Sequence, residues 1–405
     1  MCASLRSIGL LSFALLCFVA CQFDPQGLEA GFNDTGPPDG AELDGTVSDA
    51  GVDGAVPDAV AEDATTPCET GAFECLFSQG SARLCQGGEW VSLGPCFLGC
   101  EEATQACRVP SNVDPEALNI QEENLGDLVL PAGVHVEMST DDGSVVNTTD
   151  ATTLRPGGEG EILSGVGFYR RSQPGQAPSL GVFVLRDFTI PEGTTVDLVG
   201  SGAFVVLATR HVVVEGVLDG GAHGAQSGPG GYDGGEVGLS GDGLCPGQPG
   251  QSHPICPVGC ASGSGGGGLG GKGGDGGEVD CTVSGQDVVR PGGLGGGTCG
   301  SLELAPLVGG SGGGGGVPLQ GVSGSEPGLG GGGGGAIQIS ARATITLGVG
   351  GVLTTPGGGG GQTFGGGGAG GGAGGAVLLE TPSFIVASSS VVAVNGGGGG
   401  GGDCT

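Results

Sequence analysis

The chain has 405 residues, 100 of them glycine, and a formal net charge of −32. Eleven basic residues against 43 acidic ones exclude a surface for nucleic acid or anionic lipid, because phosphate binding needs Lys and Arg. No Gly-X-Y period runs through the chain, which excludes collagen. The acidic surface suits cation attraction, or simply the solubility of a surface protein.

Residues 1–20 read as a signal peptide: Arg6 is a minimal n-region and "IGLLSFALLCFVA" an apolar h-region. That run is too short to cross a bilayer core of about 30 Å as a helix. "CFVAC" then sets Cys21 after a small residue and resembles a bacterial lipobox, although Phe18 stands where leucine is usual. The resemblance implies lipidation at Cys21 and, with Gln22 following, sorting to the outer membrane. Ordinary signal cleavage nearby is the alternative. Residues 21–66 follow as a lipid-anchored acidic linker, rich in Asp, Gly, Pro and Ala. It has too few large apolar side chains to offset ordering entropy, so it is expected to be a disordered tether. As a coil of about 45 residues it would span roughly 35–40 Å.

Export makes the remaining cysteines disulfide candidates. Six lie at Cys68, Cys75, Cys85, Cys96, Cys100 and Cys107; six more at Cys245, Cys256, Cys260, Cys281, Cys299 and Cys404. Each set allows fifteen pairings. The first set defines a module over residues 67–108, too small to build a core without cross-links. Within it "CQGGEWVSLGPC" reads as a hairpin with Gly87-Gly88 at the turn. Trp90, the single tryptophan, either packs over a disulfide or stacks on a sugar ring.

Residues 109–200 form a β-rich region of short apolar runs split by Gly, Pro and Asp, with no useful helical period. Residues 201–405 are an internal repeat. Residues 334–358 lie over 374–398 at a shift of 40, matching Ile337 to Val377, Ile339 to Leu379, Ile345 to Ile385 and Val352 to Val392. An earlier copy at 203–221 fits with three residues missing before Val217. Each copy carries three short strands, the signature of a parallel β-helix or other solenoid, with Ile337, Val377 and Val205 in one buried ladder. The fold class is therefore all-β; a β-sandwich with glycine-rich insertions is the alternative. The glycine runs between the strands are either flexible coil or bundled extended helices of the polyproline-II type, which only glycine lets approach so closely. Cysteines in the longest run argue for order there.

The chemistry is sparse. His135, His211, His223 and His253 have no metal-ligand spacing, and His253 near Cys256 and Cys260 reads better as a disulfide neighbour than a zinc ligand. No G-x-S-x-G elbow is present. "GGKGGDGGEVD" makes Asp275 and Asp280 weak calcium candidates, beside Asp219, Asp233 and Asp242; solvated turns are the plainer reading. Arg210 and Arg342 hold matching repeat positions, as corner residues paired with acids or as an anion contact.

Residues 111–405 resemble glycine-rich, PGRS-like exported surface proteins of myxobacteria and related delta-proteobacteria. The resemblance rests on "FTIPEGTTVDLVGSGAFVVLATRHVVVEGVLDGG", "PLVGGSGGGGG" and "GGAVLLETPSFIVASSSVVAVNGGGGGGGD". It implies a β-helix-like core and no assigned activity. The expectation is a non-enzymatic, lipid-anchored cell-surface protein that needs no cofactor and makes structural or adhesive contacts with polysaccharide or surface proteins. The alternative is a polysaccharide-binding or polysaccharide-degrading protein on the same scaffold.

Overall fold

The computed structural model describes residues 67–76, 81–101, 103–252, 261–283, 286–319 and 326–402. They belong to one compact unit, Asp63–Thr405. The signal segment, Cys21 and the tether lie outside the described residues, as do His253, Cys256, Cys260 and Cys404. The fold is all-β, with only two single-turn 3-10 helices, Glu116–Leu118 and Glu122–Asn124, among the described residues.

The cysteine module is an antiparallel meander of β1 (Phe73–Leu76), β2 (Ser81–Gln86) and β3 (Glu89–Pro95), followed by the short pair β4 (Cys100–Glu101) and β5 (Ala106–Cys107). The turn between β2 and β3 is Gly87-Gly88, both at positive φ (66° and 89°), a geometry that favours glycine. Disulfides Cys68–Cys85, Cys75–Cys100 and Cys96–Cys107 close the module.

Three parallel sheets follow. Their strands come in consecutive triplets: β12 (Leu180–Leu185), β13 (Phe188–Ile190) and β14 (Thr195–Val199); then β15 (Ala203–Ala208), β16 (His211–Val214) and β17 (Val217–Asp219). After a long glycine-rich segment come β21 (Ala336–Ala341), β22 (Thr344–Leu347) and β23 (Val352–Thr354), then β25 (Ala376–Glu380), β26 (Ser383–Val386) and β27 (Val391–Ala393). From one triplet to the next, first strands pair with first strands, second with second and third with third, all parallel. β6 (Leu128–Val129) joins the second sheet and β7 (His135–Ser139) the third. At that same end antiparallel strands cover the sheets: β8 (Val145–Asn147) and β9 (Thr152–Arg155) continue from β7, and β10 (Glu161–Leu163) and β11 (Val166–Arg171) pair onto β12.

Alternation along each strand sorts side chains to two faces. Phe204, Val206 and Ala208 of β15 enter one interior cluster with Phe183, Val196, Val212, Leu218, Ile339, Ile345 and Leu353 from all three sheets. Ala203, Val205 and Leu207 face the other way, into a second cluster with Phe97 and Leu98 of the cysteine module and Leu269 and Leu307 of the glycine-rich segment. The first sheet is therefore covered on both faces, which is why β12 and β15 read as unbroken apolar runs.

The register corrects three details of the repeat. Ile337 stands beside Phe204 and Val377, while Val205 pairs with Gln338; Val205 is in the outer ladder, because a one-residue offset reverses the face. Ile337–Val377 and Ile339–Leu379 are as the alignment has them, but Ile345 pairs with Phe384 and Val352 with Val391. The corner at Pro382 is one residue shorter than the corner at Arg342-Ala343, so the shift drops from 40 to 39 there. The earlier copy lacks two residues, not three, before Val217: Glu215-Gly216 stands where the next copy has residues 348–351.

The glycine runs are ordered. Residues 262–268 show how. The amides of Ser262, Gly265 and Gly268 donate to the carbonyls of Gln251, Gln248 and Cys245; those of Gly263 and Gly266 to Gly277 and Gly274; those of Ser264 and Gly267 to Gly368 and Gly371, all at 2.8–3.0 Å. Carbonyls of Gly263 and Gly266 accept from Gly293 and Gly296, and that of Gly265 from Gly314. Partners thus recur every third residue and point to five neighbouring segments. A strand repeats every second residue; a three-residue repeat is that of the polyproline-II helix. The coil alternative is overturned for residues 262–268, since every one of their backbone amides finds a carbonyl on a neighbouring segment. The cause is close approach, not flexibility. A Cβ on Gly265, Gly295, Gly314 or Gly370 would come closer than 3.0 Å to backbone of a neighbouring segment, and none of the four has positive φ. The disulfide Cys245–Cys299 joins two of the neighbours.

Candidate functional site

Three remote parts of the chain meet beside the first corner of the third triplet. Phe97 comes from the cysteine module, Glu122 opens a 3-10 turn, and Arg342 leaves the end of β21. The Arg342 guanidinium lies 5.3 Å from the Phe97 ring centroid. Its two terminal nitrogens donate to the two carboxylate oxygens of Glu122, Nη1 at 2.9 Å to Oε2 and Nη2 to Oε1. Its Nε is buried with no partner among the described residues. Asp114, Glu116, Gln121 and Thr209 complete the walls of a cavity of about 370 Å³. Three carboxylates around one arginine give a net negative site. Such a site disfavours anions and suits neutral hydroxyl-rich or amine-bearing groups, which donate to carboxylates and stack on an aromatic–guanidinium face.

A second polar constellation lies on the outer face of β21 and β25. The Glu380 carboxylate accepts from the amide and hydroxyl of Ser111 (3.1 and 2.6 Å), from Gln338 Nε2 and from Ser340 Oγ (2.8 Å each). Gln338 Oε1 accepts from Asn112. Gln338 and Ser340 are fully buried, so these bonds satisfy groups whose burial would otherwise be costly. They clamp the segment following the cysteine module onto the first sheet.

Arg210 and Arg342 are not register partners; Ala343 lies beside Arg210, with its amide bonded to the Arg210 carbonyl. Each guanidinium faces an acid, Arg210 with Asp187 at 3.6 Å and Arg342 with Glu122. The corner reading agrees with this geometry. Their neighbour Arg186 makes a two-point contact with Asp127, at 2.6 and 2.9 Å, which lowers the Asp127 pKa below its ordinary 3.8.

Trp90 sits in β3 beside Cys85, half-buried, with the Arg83 guanidinium 4.6 Å over its ring. Arg83 also holds Glu74 at 2.7 Å. The indole is thus neither a fully buried plug nor a bare platform, and a sugar would have to use the face opposite Arg83. Asp275 accepts from the Gly295 amide (2.8 Å) and pairs with Lys272 (3.0 Å); the Gly295 bond is the main cause of its lowered pKa. Asp280 is on β18 (Val279–Val283). Asp219 and Asp233 accept from the amides of Gly221 and Ser227, closing local turns. Among the described residues no three His, Cys, Asp or Glu side chains gather as a metal site.

One buried charge had no signal in the sequence. Arg155, 0% exposed, ends β9 and donates to five backbone carbonyls: Val166, Gly143, Pro156, Gly158 and Glu161, at 2.7–3.1 Å. Desolvation lowers its pKa. It ties together the loops that cover the first triplet. Gln338 and Ser340 could have been noticed, as polar residues at outward positions of an apolar strand. Glu122 and Phe97 could not, because only folding brings them to Arg342. Comparison with protein-family models, with curated proteins and with solved structures finds no match to this chain.

Proposed function

We propose that the three parallel sheets are the faces of a β-helix, each triplet being one turn. The protein is exported, held at the outer membrane by lipid on Cys21, and works as a non-enzymatic cell-surface protein making structural or adhesive contacts. The observation that carries this reading is the bundle of glycine segments. Its backbone hydrogen bonds and its disulfide build a stiff, side-chain-poor body beside the sheets, suited to presenting surface more than to positioning acid–base groups. The continuous parallel register supports a β-helix over a sandwich. The Arg342–Phe97 cavity favours a second reading, recognition of a neutral polysaccharide.

The purified full chain, incubated with insoluble chitin, peptidoglycan and matrix polysaccharides with and without calcium, tests both. Retention without sugar release is expected. Release of oligosaccharide would overturn the non-enzymatic reading. Retention lost in Arg342→Ala would move recognition to the cavity.

A further inference from the structure

The hydrogen bonds around residues 368–375 run outward in turn to residues 264–267, 311–314, 331–334, 355–358 and 397–400. The last direction around this segment, between residues 397–400 and 264–267, opens onto a groove. Its two lobes, of about 440 and 300 Å³, share Gly266, Gly274, Gly371 and Gly397, and glycine forms most of the wall. The amides of Gly368, Gly371 and Gly374 make no hydrogen bond among the described residues, and neither do those of Gly271, Gly274 and Gly277 or Gly396 and Gly399. The carbonyls of Ser264 and Gly267 accept none. All these positions recur at every third residue. Gly368, Gly371, Ser264 and Gly267 are buried in the floor of the groove, Gly374 is half-buried, and Gly271, Gly274, Gly277, Gly396 and Gly399 are exposed along its rims. Unpaired amides on buried residues are rare in folded proteins, and here two of them, Gly368 and Gly371, stand three residues apart on one wall.

We propose that this groove is a binding site for a glycine-rich strand of a separate polypeptide, in the polyproline-II conformation. Such a strand repeats every three residues with about 3.1 Å rise, so it meets the amide rows of the walls in register over about 19 Å. It offers carbonyls to the amides of Gly368, Gly371 and Gly374 and amides to the carbonyls of Ser264 and Gly267. Within the bundle a Cβ on Gly295 or Gly370 would meet backbone closer than 3.0 Å, so a strand seated at that same spacing has no room for side chains at its wall-facing positions. A neutral glycine strand also avoids the repulsion that a second copy, carrying the same net charge of −32, would bring. The site stands independently of the adhesive reading.

The test uses the purified full chain and a lysine-flanked oligoglycine peptide of about nine residues, with an alanine peptide of equal length as comparison. Hydrogen exchange of the Gly368, Gly371 and Gly374 amides should slow by at least about tenfold with oligoglycine and stay unchanged with oligoalanine. Gly274→Leu should abolish the protection. Gly274 lines both lobes of the groove and a Cβ there meets nothing within 4 Å, so the variant narrows the groove without displacing the bundle backbone. Gly398→Leu, equally unobstructed and not part of the groove wall, should retain it. Equal protection by oligoalanine, full protection in Gly274→Leu, or no protection in the folded wild-type chain would each overturn the proposal. Protection arising from self-association, seen as a concentration-dependent dimer without peptide, would overturn the choice of occupant.

Discussion

Replacing Gly265 by alanine is the sharpest probe of the glycine bundle. A Cβ there would fall on the carbonyl of Leu294, closer than 3.0 Å, and on the amide of Gly295. These atoms are backbone, and the Leu294 carbonyl already accepts from Gln248 at 2.9 Å. Moving that segment aside breaks this bond and strains two others, Gly265 N–H to Gln248 and Gly314 N–H to Gly265. At about 1 kcal/mol for the broken bond, about 0.5 kcal/mol for each strained one and about 1–3 kcal/mol for overpacking, the expected loss is about 3–5 kcal/mol. Gly277→Ala is the counterpart: its Cβ meets nothing within 4 Å and its φ is not positive. There alanine should stabilise by about 0.4–1 kcal/mol, through the lower entropy of the unfolded chain. Urea denaturation of both variants, followed by circular dichroism with disulfides intact, reads the difference as a shift in midpoint. If Gly265→Ala cost less than about 1 kcal/mol, or matched Gly277→Ala, the close-packed bundle would be refuted.

Arg155→Met removes the donor from five carbonyls and should cost about 3–5 kcal/mol, read from the urea midpoint; a near-neutral result would mean that those carbonyls find other partners. Asp127, held low by Arg186, and Asp142, held low chiefly by the Ser144 amide, should make the fold acid-sensitive. Both folded pKa values lie below 3.8, so their contribution is fully present above that value and lost as pH falls through the folded ones. Thermal melts should be flat for these groups above about pH 5 and fall below about pH 4, and Asp127→Asn should reduce that fall. Cys245→Ser with Cys299→Ser opens a loop of sequence separation 54, for which the chain-entropy model expects a loss of about 4 kcal/mol; a melt unchanged from wild type would show that backbone bonds alone hold the bundle.

Strand identity, the tripartite copies and the Gly87-Gly88 hairpin were legible in the sequence. Each rests on local information: apolar runs of strand length, recurrence at a fixed interval, and a turn that needs positive φ. Register was only partly legible. Val205 and Ile337 sit on opposite faces, and the pairing of Ile345 slips by one, because corner length sets the face and two corners differ by a single residue. The cavity at Arg342 could not be read, since Glu122 and Phe97 reach it from 220 and 245 residues away in sequence. Composition alone determined that the glycine segments could pack backbone to backbone, because a residue without Cβ permits the approach. Which segment bonds to which was decided only by the tertiary structure: identical residues carry no side-chain code for a partner, so the choice falls to the strands and disulfides that hold the ends of each run.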